Sequence, residues 1–386
     1  MAMLPKIGVL LPQSKQFKTL DRDFIRGLKL PSLEVSYRIE SISLGADERL
    51  IIDKMQKLHY QEEVSIIIGF FGHHKLSDVF EYASNHDILL IASDLGANLP
   101  YQLPTLKGVY CNSYGLHESS YLLGKFLQQR EYKSIVSSSS YYDAGYGFLD
   151  ALTQAFEENK TSFSGHYITP FLPRETETQL MLEDIESYKP EVICAFHSGL
   201  YTQEHTRFLN ENKLLEKYPY YLSAFCFDSE LENEANKDHL FVVGSWLGNE
   251  NCSTTTSEGA TNFEFITNYH ENHSELPTVF SLLGYESGLI IKALLENTPQ
   301  NTPTPLLIAT MNRLHVAGPR GTIRFDPETQ RTNFDHYIYT VCKSDTDLPC
   351  LIKTETLTNT GNFIKKIINM PAPLKAGGWQ NAYLCH

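Results

Sequence analysis

Two histidines in tandem, His73 and His74, a carboxylate at Asp94 and a glycine at Gly96 follow directly on two apolar runs, Val64–Ile68 and Ile88–Ala92. The first run, VSIII, is β-branched and suits a strand buried on both faces. It passes through Gly69 and FFGHHK into a helical pattern, Leu76, Val79, Phe80 and Ala83; the second run, ILLIA, ends in the polar turn SDLGAN. Open α/β sheets bind ligands at the carboxyl ends of their strands, so this unit predicts a site around these four residues. Adjacent histidines point in different directions, so the pair alone does not make a metal centre. Backbone N–H groups at 72–74, at a helix start, suit an anion. A carboxylate at Asp94 needs a donor or a positive charge nearby, from His73 or from the ligand itself. Motifs for covalent or cofactor chemistry are missing: the first strand–helix turn, GVLLPQSKQ, has no GxGxxG, and the chain has no GxSxG elbow, P-loop or HExxH. SSSS (137–140) reads as a hydroxyl-rich turn. The expectation is a binding site, with no catalytic residue, no metal and no cofactor.

The composition narrows the partners. The 386 residues carry 46 acidic and 32 basic side chains, a formal charge of −14. With no Lys/Arg cluster, this excludes nucleic acid as the expected partner and leaves a small molecule. No apolar run reaches the ~18 residues of a membrane span. Tyr (22) and Phe (21) are plentiful and supply ligand walls as well as core. Seven cysteines show no CxxC; an oxidising compartment would allow a disulfide among Cys342, Cys350 and Cys385, and the odd count leaves at least one thiol free. The start, MAMLPKIGVLLP, runs almost straight into a strand and lacks the pattern of a signal peptide. The chain is either cytosolic or an exported protein shown without its leader, and the Met–Ala–Met start favours the second.

The elements that must position these residues alternate strand and helix to about residue 245. A first series has strands at 7–11, 36–42, 64–68, 88–92 and 109–112. A helix over 117–129 leads to a second, with strands at 133–138, 165–171, 191–196, 220–225 and 240–246. After Trp246 come two long helices, 261–272 and 279–296, a Pro-punctuated linker, a third helix to about 314, and two strands, Gly321–Phe325 and His336–Val341, around DPETQRTN. The last 45 residues are mixed. The late helices continue neither series and are expected to return to the first.

This order, together with IIGFFGHHKLSDVFEYASNHDILLIAS, DAGYG (143–147), LLGYESG (282–288) and GPRGTIRFDPETQ (318–330) before HYIYTV, resembles the type I periplasmic solute-binding proteins of ABC transporters, in their branched-chain amino-acid (Leu/Ile/Val) branch. The likeness spans about residues 6–341. It implies an α/β fold of two Rossmann-like lobes with mainly parallel sheets and a three-crossover hinge: lobe I from 1–118 plus 249–325, lobe II from 119–248 plus 330–386, hinges near 118, 248 and 327. It implies a ligand in the cleft. His73 and Gly96 stand where the family has hydroxyl residues that hold a carboxylate, and Asp94 where it has a small residue, so plain amino-acid specificity does not carry over. Tyr146 matches a tyrosine that packs on the ligand. Phe196, His197, Leu200 and Tyr201 end a strand and form the loop after it; Phe227 and Asp228 fall near the family's amine-binding acid. Tyr285, in FSLLGY, reads as core.

The function so implied is an exported, monomeric protein, periplasmic or extracellular, that captures a small polar or amphipathic solute and delivers it to a membrane permease by hinge closure. The alternative is a receptor or regulator that senses a ligand with the same fold.

Overall fold

The computed structural model describes residues 4–72, 76–157, 164–169, 177–227, 231, 237–248, 250, 256–299, 302–342, 350–371, 379 and 382–385. Its first sheet joins β1 (Lys6–Leu11), β2 (Ser36–Ser41), β3 (Ile66–Phe70), β4 (Leu89–Asp94) and β5 (Val109–Ser113) in the order β2-β1-β3-β4-β5, every pair parallel. The β-branched run explains this sheet. Ile66, Ile68 and Phe70 face one core and Ile67 the other, as do Leu89 and Ile91 against Leu90. Alternating side chains that are apolar on both faces are what a helix-covered parallel strand requires.

Helices α2 (Glu48–Gln56) and α3 (Ser77–Asn85) cover one face of this sheet, through Ile51, Met55, Val79 and Phe80. On the other lies α1 (Leu20–Lys29), packed along a helix from late in the chain. The α1 packing is very close: a Cβ on Gly27 would stand 1.9 Å from the Ser281 carbonyl oxygen, so only glycine permits the approach.

The second sheet runs β14-β13-β10-β9-β8-β6-β7. β6 (Ile135–Ser139), β7 (Gly165–Ile168), β8 (Val192–Phe196), β9 (Tyr220–Ser223) and β10 (Leu240–Gly244) are parallel. β13 (His336–Cys342) and β14 (Cys350–Leu357) join beyond β10 as an antiparallel pair. The connecting helices are α4 (Leu116–Gln129), α5 (Phe148–Glu157), α6 (Glu177–Tyr188) and α7 (Leu200–Glu211). α4 packs on α5, so it belongs with this sheet.

After β10 the chain returns to the first sheet, as expected, through α8 (Ser257–His273), α9 (Val279–Glu296) and α10 (Thr304–Met311). α9 lies along α1, and α10 contacts β4. The start of α9 is fixed by a capping box in which Thr278 and Ser281 each satisfy the other's backbone N–H. One expectation needs correction. The strand expected over Gly321–Phe325 is shorter, Gly321–Ile323 (β12), and it closes a hairpin with Val316–Gly318 (β11) across the tight Pro319–Arg320 turn, while Phe325 bridges Thr332 across the turn at DPETQRTN. The chain then closes with α11 (Asn362–Ile368).

The connections between the sheets share one buried charge network. Arg320 and Glu286 are both buried. Arg320 Nη2 and Nε donate to Glu286 Oε2 and Oε1 at 2.6 and 2.9 Å. Arg320 also donates to the Ser113 carbonyl (2.9 Å), Ser245 Oγ (3.2 Å) and Asn112 Oδ1 (3.2 Å), and lies 4.0 Å from the centre of the Phe334 ring. It thus touches residues from all three connecting segments.

Candidate functional site

The carboxyl ends of the parallel strands of both sheets converge on one aromatic cluster, and Ala382–Cys385, near the end of the chain, lies inside it. Ala382, Tyr383, Leu384 and Cys385 are all buried. From the first sheet, the Ala382 N–H donates to the Leu44 carbonyl (3.2 Å), and Ser14 Oγ donates to the Leu384 carbonyl. From the second, the Leu384 N–H donates to Tyr142 Oη (2.9 Å). The Trp379 N–H donates to the Gly145 carbonyl at 3.0 Å, and its indole N–H to the Tyr142 carbonyl at 2.7 Å.

Around the Tyr383 ring stand Tyr146 (centroids 4.8 Å, edge-on), Phe148 (5.2 Å, edge-on), Phe225 (5.9 Å, edge-on) and Tyr142 (6.0 Å, stacked). Its hydroxyl donates to Asp143 Oδ1 at 2.6 Å. Asp143 is itself buried and accepts from Ser198 Oγ at 2.9 Å and from Ser140 Oγ at 2.5 Å. Burial pushes the Asp143 carboxyl up to about 6, against these three hydroxyl donors. Direct contacts between the lobes flank the cluster: the Gly147 N–H donates to the Ala97 carbonyl (2.8 Å), and Phe17 packs edge-on against Phe225 (6.2 Å).

Of the residues proposed from sequence, Tyr146 and Phe196 meet at this cluster. Tyr146 Oη is 2.8 Å from Tyr142 Oη, and Phe196 stacks on Phe148 at 5.7 Å. Asp94 and Gly96 lie in lobe I, lining a cavity of about 30 Å³ with Phe71, Phe80, Leu99 and Arg331. Asp94 has a partner that the sequence did not point to. Arg331, from the third connection, places Nη2 3.4 Å from Asp94 Oδ2, and Cys111 Sγ is 3.5 Å away. Arg331 thus places a positive charge beside Asp94.

Gly96 serves the turn. It has φ +67°, its carbonyl accepts the His117 N–H, and a Cβ there would come within 2.8 Å of Ser113 Oγ. His197 is buried, its Nε2 2.9 Å from Ser138 Oγ and its ring stacked on His205 at 4.0 Å. Leu200 opens α7 and is 64% exposed; Tyr201 packs half-buried on the main core, and Phe227 on the core of lobe II. His73, His74 and Asp228 lie outside the described residues, as do the side chains of Cys342 and Cys350; Cys385 is a free, buried thiol.

Sequence reasoning passed over Asp143, Ser140 and the C-terminal segment. Two of these had a signal. Asp143 opens DAGYG, and Ser140 ends the SSSS turn at a strand's carboxyl end.

The periplasmic binding protein family matches residues 6–346. Among curated proteins none matches. Among solved structures, an ABC transporter substrate-binding protein from Sphaerobacter thermophilus is 18% identical with a TM-score of 0.74, the alignment covering 91% of this chain and 97% of that one. A solute-binding protein of an ABC transporter from R. palustris, solved with benzoate, is 19% identical with a TM-score of 0.70 over 93% and 97%. A leucine-binding protein from Thermotoga maritima is 13% identical with a TM-score of 0.65 over 92% and 99%. These structures share the two-lobed fold, and the match over nearly the whole chain gives the family: this protein belongs to the periplasmic binding proteins.

Proposed function

We propose that this protein is a solute-binding component of an ABC importer. It captures a small amphipathic solute, an amino acid or a related compound, between its lobes and performs no chemistry on it. Lobe I is 1–118 plus 249–325, lobe II is 119–248 plus 330–386, and hinges near 118, 248 and 327 let them close. The protein works outside the cytoplasmic membrane as a monomer and presents its closed form to a permease; among the described residues no helix is long and apolar enough to cross a membrane itself.

One observation carries this reading: a single short segment, Ala382–Cys385, is gripped at once by Ser14 and Leu44 of one lobe and by Tyr142 and Asp143 of the other. Whatever binds there makes its full set of contacts only when the lobes are together, which is how a ligand shifts an open–closed equilibrium. Moving that equilibrium from 1:99 to 99:1 takes about 5.5 kcal/mol of differential affinity. Tyr146 and Phe196 supply apolar walls, and Asp143 an acceptor. Relatives solved with benzoate and named for leucine fit a site that takes a small amphipathic molecule.

The test is a thermal-shift screen of amino acids, small carboxylates, amides and aromatic acids. A solute at 100 times its dissociation constant stabilises by about 2.7 kcal/mol. With an unfolding entropy of about 0.8 kcal/mol/K for a chain of this length, that is a shift of about 3 °C. A screen in which no compound moves the midpoint, in wild type or in Tyr383→Ala, overturns the reading.

A further inference from the structure

The cluster around Tyr383 is built as a binding site, although a side chain of the same polypeptide fills it. Its floor is a buried carboxylate with two serine hydroxyls aimed at it, Ser140 and Ser198, and a third hydroxyl, the phenol of Tyr383, completes the set at 2.6 Å. Its walls are four aromatic rings, Tyr142 and Tyr146 from the β6–α5 loop, Phe148 at the start of α5 and Phe225 from the loop after β9. A carboxylate buried among rings is costly without donors, so the acceptor is matched to one further hydroxyl carried on an aromatic ring. Ala382–Cys385, which delivers this hydroxyl, lies in no strand or helix. It is held by single hydrogen bonds from loops of each lobe, at Leu44, Ser14 and Tyr142, and by Trp379, which leans on Tyr142 with ring centroids 6.5 Å apart.

Resting on the solute-binding function proposed above, we infer that Asp143, Ser140 and Ser198 form a subsite for a phenolic hydroxyl. Tyr383 of the chain's own C-terminus occupies it as an internal ligand, and the external solute is a small molecule bearing a 4-hydroxyphenyl group that enters by displacing this segment. The tail therefore sets the threshold. Apparent affinity is the intrinsic affinity multiplied by the fraction of molecules whose tail is out. Specificity follows from the carboxylate. A ring without the hydroxyl leaves Asp143 short of one donor, and sites built to bond a hydroxyl reject the analogue that lacks it.

The experiment is calorimetric titration of the full-length protein and of its Tyr383→Ala variant with N-acetyl-L-tyrosinamide, which reproduces the residue in the site, and with N-acetyl-L-phenylalaninamide, which lacks only the hydroxyl. Tyr383→Ala is expected to bind the tyrosine compound at least tenfold more tightly than wild type, and at least tenfold more tightly than it binds the phenylalanine compound. In wild type, titration is expected to red-shift tryptophan emission as Trp379 leaves Tyr142, a change absent from Trp379→Phe. Equal affinities of wild type and Tyr383→Ala overturn the internal ligand. Equal affinities of the two compounds, or no binding of either, overturn the phenol subsite. In that last case a hit among other solutes in the thermal screen leaves the solute-binding reading standing, whereas a blank screen removes both.

Discussion

Arg320→Met removes the cation at the centre of the three connections while keeping most of its volume. The guanidinium makes five hydrogen bonds: two to Glu286 and one each to the Ser113 carbonyl, Ser245 Oγ and Asn112 Oδ1. Without it, Glu286 keeps the Asn112 amide as donor at 2.8 Å and stays fully buried. Breaking one partner of a buried pair costs about 3–5 kcal/mol, because the other charge is left uncompensated. With an unfolding entropy of about 0.8 kcal/mol/K for this chain length, the expected drop in Tm is about 4–6 °C. The double variant Arg320→Met/Glu286→Gln removes both charges and is expected to recover about half of the loss, since replacing a buried pair by uncharged groups is close to neutral. Thermal and urea unfolding of wild type, Arg320→Met, Glu286→Gln and the double variant give the coupling as a double-mutant cycle. A drop below 1 °C in Arg320→Met, or strictly additive losses in the double variant, would show that this pair does not hold the connections together.

Other consequences are as direct. Burial holds His205 down at about 3 and His336 at about 4. The unfolded chain takes up these protons below about 6.5 and the folded one does not, so stability falls as pH drops from about 6.5 towards 4; at pH 5 each group has cost about 2 kcal/mol. His205→Phe, which keeps the stack on His197, is therefore expected to flatten the pH dependence of urea midpoints between pH 7 and 5, and an unchanged slope contradicts it. Asp143 runs the other way. Its raised value means that stability declines as pH rises from about 4 through 6, so Asp143→Asn should gain relative to wild type at pH 7 over pH 5 in the same series. Gly27→Ala drives a methyl into the Ser281 carbonyl and should destabilise by about 1–3 kcal/mol; a loss under about 0.5 would mean that α1 and α9 part freely. Thr278→Ala removes one half of the capping box and should cost about 1 kcal/mol in chemical unfolding, while Thr278→Ser should cost little.

Most of the fold was legible because it is written in local period. Runs such as VSIII and ILLIA announce strands buried on both faces, and the return of α8–α10 to lobe I followed from helices that continue neither βα series. The β11–β12 hairpin was not legible, since three-residue strands carry too little pattern to show a period. Of the residues at the aromatic cluster, Tyr146 and Phe196 were legible because Phe196 ends a strand and Tyr146 stands in the loop after one. The partner of Asp94 could not: Arg331 comes from a segment more than two hundred residues away, and nothing local to either residue records the pairing. The C-terminal segment was invisible for the opposite reason. AYLC is short, with no repeat and no turn signal, and its place is set by hydrogen bonds to loops of both lobes rather than by a propensity of its own.

The measurement closest to the central claim is small-angle X-ray scattering on full-length wild type and Tyr383→Ala, each with and without the compound that gives the largest thermal shift. If the lobes close on a solute, Tyr383→Ala alone is more extended than wild type and returns to the compact radius of gyration when the solute is added. Wild type, already bridged by its own C-terminus, changes little. A single radius of gyration for all four samples, with binding confirmed by calorimetry, would contradict closure as the way this protein reports its ligand.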